Sequence, residues 1–114
     1  MFAANKKLSN LTIFVDNNNL QIDGTIEEVN SAMPIDKKFE AFNWHVINAD
    51  AHDFDSLRAA FAEAKTVKGM PTVIVCKSIK GKGVSFMENQ AGWHGKAPNA
   101  EETKQALAEL EASL

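Results

Sequence analysis

Residues 11–24 read LTIFVDNNNLQIDG, an apolar run that changes abruptly into a polar loop. The run Leu11–Val15 is rich in β-branched residues, which predicts a strand covered on both faces rather than a half-exposed one. The three consecutive asparagines that follow are unusual, because Asn and Asp favour turns and caps. In open parallel sheets, ligands lie at the carboxyl ends of strands, and hard cations such as Mg²⁺ take oxygen ligands. The loop is therefore the first candidate site.

The rest of the chain alternates apolar runs with helical patterns. Residues 43–48 and 71–76 are further apolar runs, and we predict a strand in each. Helical patterns occupy residues 2–8, 35–42, 53–68 and 99–114, and residues 24–31 hold either a short helix or an irregular segment. Strands that alternate with helices predict an α/β fold with a small parallel sheet and right-handed crossovers.

Spacing and capping residues predict the buried faces of these elements. Asp53 and Asn99 are placed as helix N-caps, and Glu102 completes a capping-box spacing with Asn99. The predicted core side chains of the second strand and of the last two helices are Trp44, Val46, Ile47, Phe54, Leu57, Phe61, Ala64, Leu107, Leu110 and Leu114.

The composition is that of one small globular domain. A chain of 114 residues can bury one core and is too short for two. Twelve Lys and Arg against fifteen Asp and Glu give a net charge of −3 without a basic stripe, which argues against nucleic-acid or membrane-surface binding. The lone Cys76 excludes an internal disulfide and suits a reducing compartment. With no membrane-length apolar run and no signal-peptide pattern, we expect a cytoplasmic protein.

Three sets of residues could carry chemistry, and each has a structural alternative. Asn18 is a candidate metal ligand together with the carbonyl of Leu20, although asparagine-rich loops usually only form turns. Residues 80–83 read KGKG and could bind a phosphate, or could be an exposed basic turn. His94 lies in a long irregular segment and has the features of an imidazole that contacts a ligand.

The other histidines and the cysteine favour structural roles. His45 lies inside a predicted strand and His52 lies ahead of a helix, and scattered histidines do not make a zinc site. Cys76 lies near the end of a buried strand, which predicts an inert core thiol. Asp16 and Asp23 are predicted to form turns or to support a ligand indirectly.

Several separate motifs resemble the N-terminal, diphosphate-binding domain of transketolase, in order and spacing over nearly the whole chain. The motifs are residues 11–24, 41–46, 50–54, 71–74, 80–88 and 93–98. The resemblance implies a domain that binds thiamine diphosphate through a divalent cation, usually Mg²⁺.

The resemblance also assigns cofactor contacts to five residues. Asn18 and the main-chain oxygen of Leu20 match the metal ligands, and Ile22 matches the apolar residue near the thiazolium ring. His94 matches the histidine that contacts the diphosphate, and Lys80 falls where one branch of the family has a lysine close to the cofactor. The resemblance assigns no catalytic residue.

Departures from the family pattern bear on activity. Transketolases carry a Gly-Asp-Gly upstream of the asparagine, whose Asp is the charged metal ligand, and a second domain whose Glu activates the cofactor; neither is found in this sequence. Because Met1–Ala4 resembles the helix that follows Gly-Asp-Gly, we expect residues 1–114 to be a partial domain that lacks the upstream half. Mg²⁺ sites normally use one or two carboxylates, so tight cofactor binding by this chain alone is not expected.

Three functions remain open at this stage. The chain is a transketolase fragment without ketol-transferase activity of its own, or a non-catalytic binding or interaction module, or one chain of a split transketolase. In the split enzyme it would transfer two-carbon ketol units between sugar phosphates once another chain supplies the missing Asp and Glu. A missing upstream strand would leave a sheet edge unpaired, so we predict a homo-oligomer or a complementing transketolase chain as partner. We also expect residues 84–98 to be mobile without cofactor.

Overall fold

The computed structural model describes residues 1–113, and these residues form two compact units. The first unit comprises residues 1–17 and 32–78, and the second comprises residues 18–31 and the chain from Ile79 onward. In chain order the elements are α1 (Phe2–Asn5), β1 (Thr12–Asn17), β2 (Leu20–Gln21), β3 (Gly24–Thr25), α2 (Ile26–Val29), α3 (Ile35–Ala41), β4 (His45–Asp50), α4 (Phe54–Thr66), β5 (Thr72–Lys77), a short 3₁₀ helix (Ala91–Trp93) and α5 (Ala100–Ala112).

The first unit contains a three-stranded parallel sheet in the order β1-β5-β4. The central strand β5 is buried from Thr72 to Cys76, as its continuous apolar run predicts. Burial also raises the pKa of the Cys76 thiol above its usual value, an effect that the carboxylates of Asp16 and Asp50 reinforce. The prediction of a small parallel sheet is confirmed, and Cys76 lies in the core as predicted.

One face of this sheet carries the core that α4 covers. The register places Ile74 beside Ile47 on one side and beside Phe14 on the other. Ile47 and Ile74 are buried with the two small residues Ala60 and Ala64 of α4, which allow the helix to lie close to the strands. The alternate residues of β5 point to the opposite face, because side chains alternate along a strand.

The prediction that the first strand is covered on both faces is wrong. Burial alternates along β1, and the Phe14 side chain is 50% exposed. The reason is that β1 is an edge strand and α4 lies over its neighbours, so a groove of about 430 Å³ remains beside Phe14, Phe61 and Ala64. A continuous apolar run reports the hydrophobicity of a strand, and not whether a second layer covers it.

Several predicted core residues are also more exposed than expected. Phe54 and Phe61 of α4 are exposed, so that only Leu57 and Ala64 of that stripe contact the core. Leu107 and Leu110 of α5 are exposed too, and none of the described residues of this helix is buried. Leu114 lies outside the described residues.

The second predicted strand is buried by a different set of side chains. Ile47 is buried as predicted and is joined by Ala49. Trp44 and Val46 are only half-buried. Trp44 lies before β4, and its ring packs edge-on against Phe39 at 5.4 Å between ring centroids.

The predicted helix caps are confirmed. Asp53 accepts a hydrogen bond from the backbone N–H of Asp55, and Asn99 with Glu102 forms a capping box. The ambiguous segment after Gly24 contains the short helix α2, which has a capping box of its own. Neither 13-residue helix, nor any other helix within residues 1–113, has the length and apolar content of a membrane span.

Candidate functional site

Two candidate loops, the one that contains Asn18 and the one that contains KGKG, follow the parallel strands β1 and β5. Asn17 at the end of β1 pairs with Lys77 at the end of β5. The backbone N–H of Ser78 donates to the Asn17 carbonyl at 3.2 Å, and the Ser78 hydroxyl donates to the Asp16 carboxylate. The chain therefore leaves the sheet at two adjacent points on its carboxyl edge.

A local turn holds the side chain of Asn18. Its Oδ1 accepts a hydrogen bond from the backbone N–H of Leu20 at 2.9 Å. Asparagine favours this turn, so the loop does form the turn that is the alternative to a metal-binding role. The same bond fixes the direction of the amide oxygen, which keeps a second lone pair for a cation.

A two-stranded hairpin follows, and its tip is strained. The hairpin pairs Leu20 with Thr25, and its turn contains Ile22 and Asp23. Ile22 has a φ of 44°, a left-handed conformation that a β-branched residue rarely adopts. Its side chain is nevertheless 61% exposed. Strain at an exposed apolar residue points to a functional constraint.

The KGKG turn binds a carboxylate from its own chain. The backbone N–H of Gly83 donates to Oε1 of Glu88 at 3.0 Å, and the Lys82 ammonium lies 3.4 Å from the same oxygen. These groups would otherwise be available to a phosphate, so an exposed basic turn is the better interpretation of residues 81–83. Lys80 is half-buried, and its carbonyl accepts the N–H of Asn89 at 3.0 Å.

His94 lies in a loop that aromatic and ionic contacts hold together. The indole N–H of Trp93 donates to the Phe86 carbonyl at 3.0 Å, and the two rings lie 5.4 Å apart. On the other side of His94, the Lys96 ammonium lies 4.0 Å from the Trp93 ring centroid and 2.7 Å from a Glu102 oxygen. The backbone N–H of His94 donates to the Ala91 carbonyl at 2.9 Å, and the His94 side chain is exposed.

The structure groups all the predicted cofactor residues in the second compact unit. They come from two distant segments, residues 18–31 and the chain after Ile79, and comprise Asn18, Leu20, Ile22, Lys80 and His94. Within residues 1–113, no group of three or more His, Cys, Asp or Glu side chains could hold a metal ion. Asn18 Oδ1 and the Leu20 carbonyl would offer a cation two neutral oxygens, and Mg²⁺ sites normally include one or two carboxylates as well.

Three contacts made by glutamates help to shape this unit, and the sequence pattern indicates none of them. Glu88 contacts the KGKG turn, Glu102 contacts Lys96, and Glu109 contacts Ser85. Glu102 was found as a capping residue, and its spacing from Lys96 gave no sign of the ion pair. The Glu109 to Ser85 contact spans 24 residues and has no local signal.

Residues 1–112 match the sequence pattern of a family described as "Transketolase, thiamine diphosphate binding domain". The chain belongs to the transketolase family. Among curated relatives, it is 41% identical to the 6-deoxy-6-sulfo-D-fructose transketolase subunit SqwG of Clostridium sp. over 97% of this chain and 40% of the relative. It is 36% identical to one subunit of the apulose-4-phosphate transketolase of Phocaeicola vulgatus over 91% of this chain and 37% of the relative.

Solved transketolases share the fold. The transketolase of Campylobacter jejuni superposes with a TM-score of 0.89 and 26% identity, over 96% of this chain and 17% of that one. The chain thus spans about 40% of the length of its subunit relatives and a smaller part of a full transketolase. The resemblance and the α/β fold are confirmed, and the family of this transketolase domain implies thiamine diphosphate as its cofactor.

Proposed function

We propose that this chain contributes the asparagine half of a thiamine diphosphate and Mg²⁺ site to a split transketolase. The assembled enzyme would transfer two-carbon ketol units between sugar phosphates. The chain alone would have no ketol-transferase activity. The observation that carries the proposal is the match of residues 1–112 to a thiamine diphosphate binding domain, and relatives named as transketolase subunits support it.

Each predicted site residue has a defined task in this proposal. Asn18 Oδ1 and the Leu20 carbonyl would bind the cation, and Ile22 would contact the thiazolium ring. Lys80 and His94 would bind the diphosphate. The bound cofactor would supply the nucleophilic carbon and the electron sink that cleavage of a ketose carbon–carbon bond requires. The protein residues bind and orient it.

The requirement for a second chain follows from charge. A diphosphate carries several negative charges, and Mg²⁺ binds it with one or two protein carboxylates in addition. The oxygens of Asn18 and Leu20 are neutral, and neither is a carboxylate. Two relatives are named as transketolase subunits, which supports a complementing chain as the source of the carboxylate.

A segment graft tests the proposal. The matching segment of the Campylobacter jejuni transketolase is replaced by residues 1–112 of this chain, and ketol transfer is measured with xylulose 5-phosphate and ribose 5-phosphate. We expect the graft to be active with thiamine diphosphate and Mg²⁺. We expect the isolated chain to give no saturable heat with the same ligands at micromolar concentrations in calorimetry, and no transfer.

Controls make each outcome of the graft informative. Circular dichroism establishes that the graft is folded, and a smaller graft of residues 16–24 alone serves if the large one is not. A folded but inactive graft, or tight cofactor binding by the isolated chain, would overturn the proposal.

The strained hairpin tip gives a first prediction. Ile22→Asn is expected to raise the free energy of unfolding of the isolated chain by about 1 kcal/mol, because Asn tolerates a left-handed φ. In the graft the same change is expected to raise the half-saturating thiamine diphosphate concentration about tenfold, because an apolar contact is lost. Ile22→Val, which keeps both the strain and most of the apolar surface, is the control and should change little. A variant in which stability and cofactor affinity both rise, or both fall, would contradict the prediction.

The open sheet edge gives a second prediction. We propose that the isolated chain dimerises through β1, with the two strands antiparallel and Phe14 opposite its own copy. That register pairs Ile13 with Val15 on the other face, whereas a register centred on Val15 would set Phe14 against the Asp16 carboxylate. Light scattering at micromolar concentration should give a dimer mass. Phe14→Lys should give a monomer, and Phe54→Lys, at an exposed phenylalanine away from β1, should not. A monomeric mass for the unmodified chain would refute the pairing.

A further inference from the structure

The loop that carries His94 is tied at both ends to one helix. Near its start, the N–H and hydroxyl of Ser85 donate to the two carboxylate oxygens of Glu109 at 2.6 and 2.8 Å. Near its end, the Lys96 ammonium lies 2.7 Å from Glu102 Oε1. Glu102 and Glu109 are seven residues apart on α5, which is close to two helical turns and places them on one side of the helix.

A chain of three contacts leads from Glu102 to the residues beside His94. Glu102 binds the Lys96 ammonium, and that ammonium lies over the face of the Trp93 ring at 4.0 Å. The Trp93 indole N–H is in turn held by the Phe86 carbonyl. His94 therefore lies between two residues that Glu102 and Phe86 immobilise. The Lys96 and Asn99 hydrogen bonds also hold the pKa of Glu102 below its usual value, so this carboxylate is charged at neutral pH.

We propose that Glu102 is a positioning residue that acts through Lys96 and Trp93 to hold His94 ready for an anionic diphosphate. The inference rests on the proposed diphosphate contact of His94. Glu102, which orders the loop, is acidic and by its charge alone would repel the diphosphate. The two effects of Glu102 on anion binding are therefore opposite in sign, and a charge-neutral variant separates them.

The variant Glu102→Gln removes the negative charge and keeps the capping box, since glutamine serves equally well at that position. If Lys96 simply attracted the anion, removing Glu102 would free the ammonium and tighten binding. If Glu102 positions the loop, binding weakens although a negative charge has been removed. Glu101→Gln is the matched control, because Glu101 is the exposed neighbour on α5 and carries the same charge.

The experiment is an NMR titration of the isolated chain with inorganic pyrophosphate, following the amides of His94 and Gly95. We expect shifts that saturate only at millimolar pyrophosphate, an approximately fivefold larger dissociation constant in Glu102→Gln, and an unchanged or slightly smaller one in Glu101→Gln. Lys96→Met should weaken binding as well. Lys96→Arg should restore it to within about twofold, because arginine keeps both the ion pair and the contact with the indole face. Amide exchange without ligand should be faster over residues 93–96 in Glu102→Gln.

The outcomes separate this inference from the proposed function. If the His94 amide does not move in the unmodified chain, or if His94→Ala leaves the dissociation constant unchanged, the diphosphate contact fails and the inference fails with it. If binding depends on His94 but Glu102→Gln tightens it or leaves it unchanged, only the positioning role is overturned.

Discussion

Replacing Gly81 by alanine is expected to lower the free energy of unfolding of the second unit by about 3 kcal/mol. Gly81 has a φ of 70°, and an added Cβ would lie 2.6 Å from the Met87 Cβ and 2.7 Å from its backbone carbonyl. A left-handed alanine costs about 1 kcal/mol, and the overlap with backbone adds about 2 kcal/mol, because backbone cannot rotate away as a side-chain end can. Denaturant unfolding followed by the emission of Trp93, in a Trp44→Phe background, measures the change.

Two other glycines separate the contributions. Gly69, in the first unit, has a φ of 76° with no heavy atom within 4 Å of an added Cβ, so Gly69→Ala isolates the left-handed conformation. It should cost about 1 kcal/mol, measured by the emission of Trp44 in a Trp93→Phe background. Gly95 has open space and no left-handed φ, and Gly95→Ala should be neutral within the second unit. A cost for Gly81→Ala no larger than that for Gly69→Ala would contradict the close approach to Met87.

The elements of the fold were predictable where a local pattern determines them. The run Thr72–Cys76 identifies a buried strand because its apolar sequence is continuous, and Asn99 with Glu102 identifies a helix start because a capping box spans only four residues. The exposure of Phe14 and Phe61 was not predictable, because it depends on which part of the sheet α4 covers. An apolar stripe on a helix indicates which side chains could be buried, and the elements that pack against the helix decide whether they are.

The features of the candidate site were likewise predictable only where a local sequence pattern determines them. The turn at Asn18 follows from the preference of asparagine for bonding a backbone N–H two residues ahead, and the structure has that bond. The strain at Ile22 and the capture of Glu88 by Gly83 have no counterpart in the sequence pattern, since they depend on backbone conformation. The contacts of the His94 loop likewise join side chains across irregular backbone, where spacing carries no information about neighbours.

The largest functional effect is expected at Asn18. In the grafted transketolase, Asn18→Ala should raise the half-saturating Mg²⁺ concentration at least about 100-fold, because loss of residues that merely support a metal ligand already costs 10- to 100-fold. At Mg²⁺ concentrations below the half-saturating value of the unmodified graft, ketol transfer should fall approximately in proportion. The measurement is the rate of transfer as a function of Mg²⁺ at saturating thiamine diphosphate.

A second variant separates the metal-binding role of Asn18 from its role in the turn. Aspartate accepts the Leu20 N–H as asparagine does, and it also offers Mg²⁺ a charged oxygen. If Asn18 is a ligand, Asn18→Asp should stay within about tenfold of the unmodified graft in its Mg²⁺ requirement, far from Asn18→Ala. If Asn18 only forms the turn, Asn18→Ala should lower stability slightly and neither variant should change the Mg²⁺ requirement. Asn30→Ala, at an exposed asparagine of the same unit, controls for loss of an amide. An unchanged Mg²⁺ requirement in Asn18→Ala would reduce the loop from half of a metal site to a turn, because the oxygen it holds in place would then bind nothing.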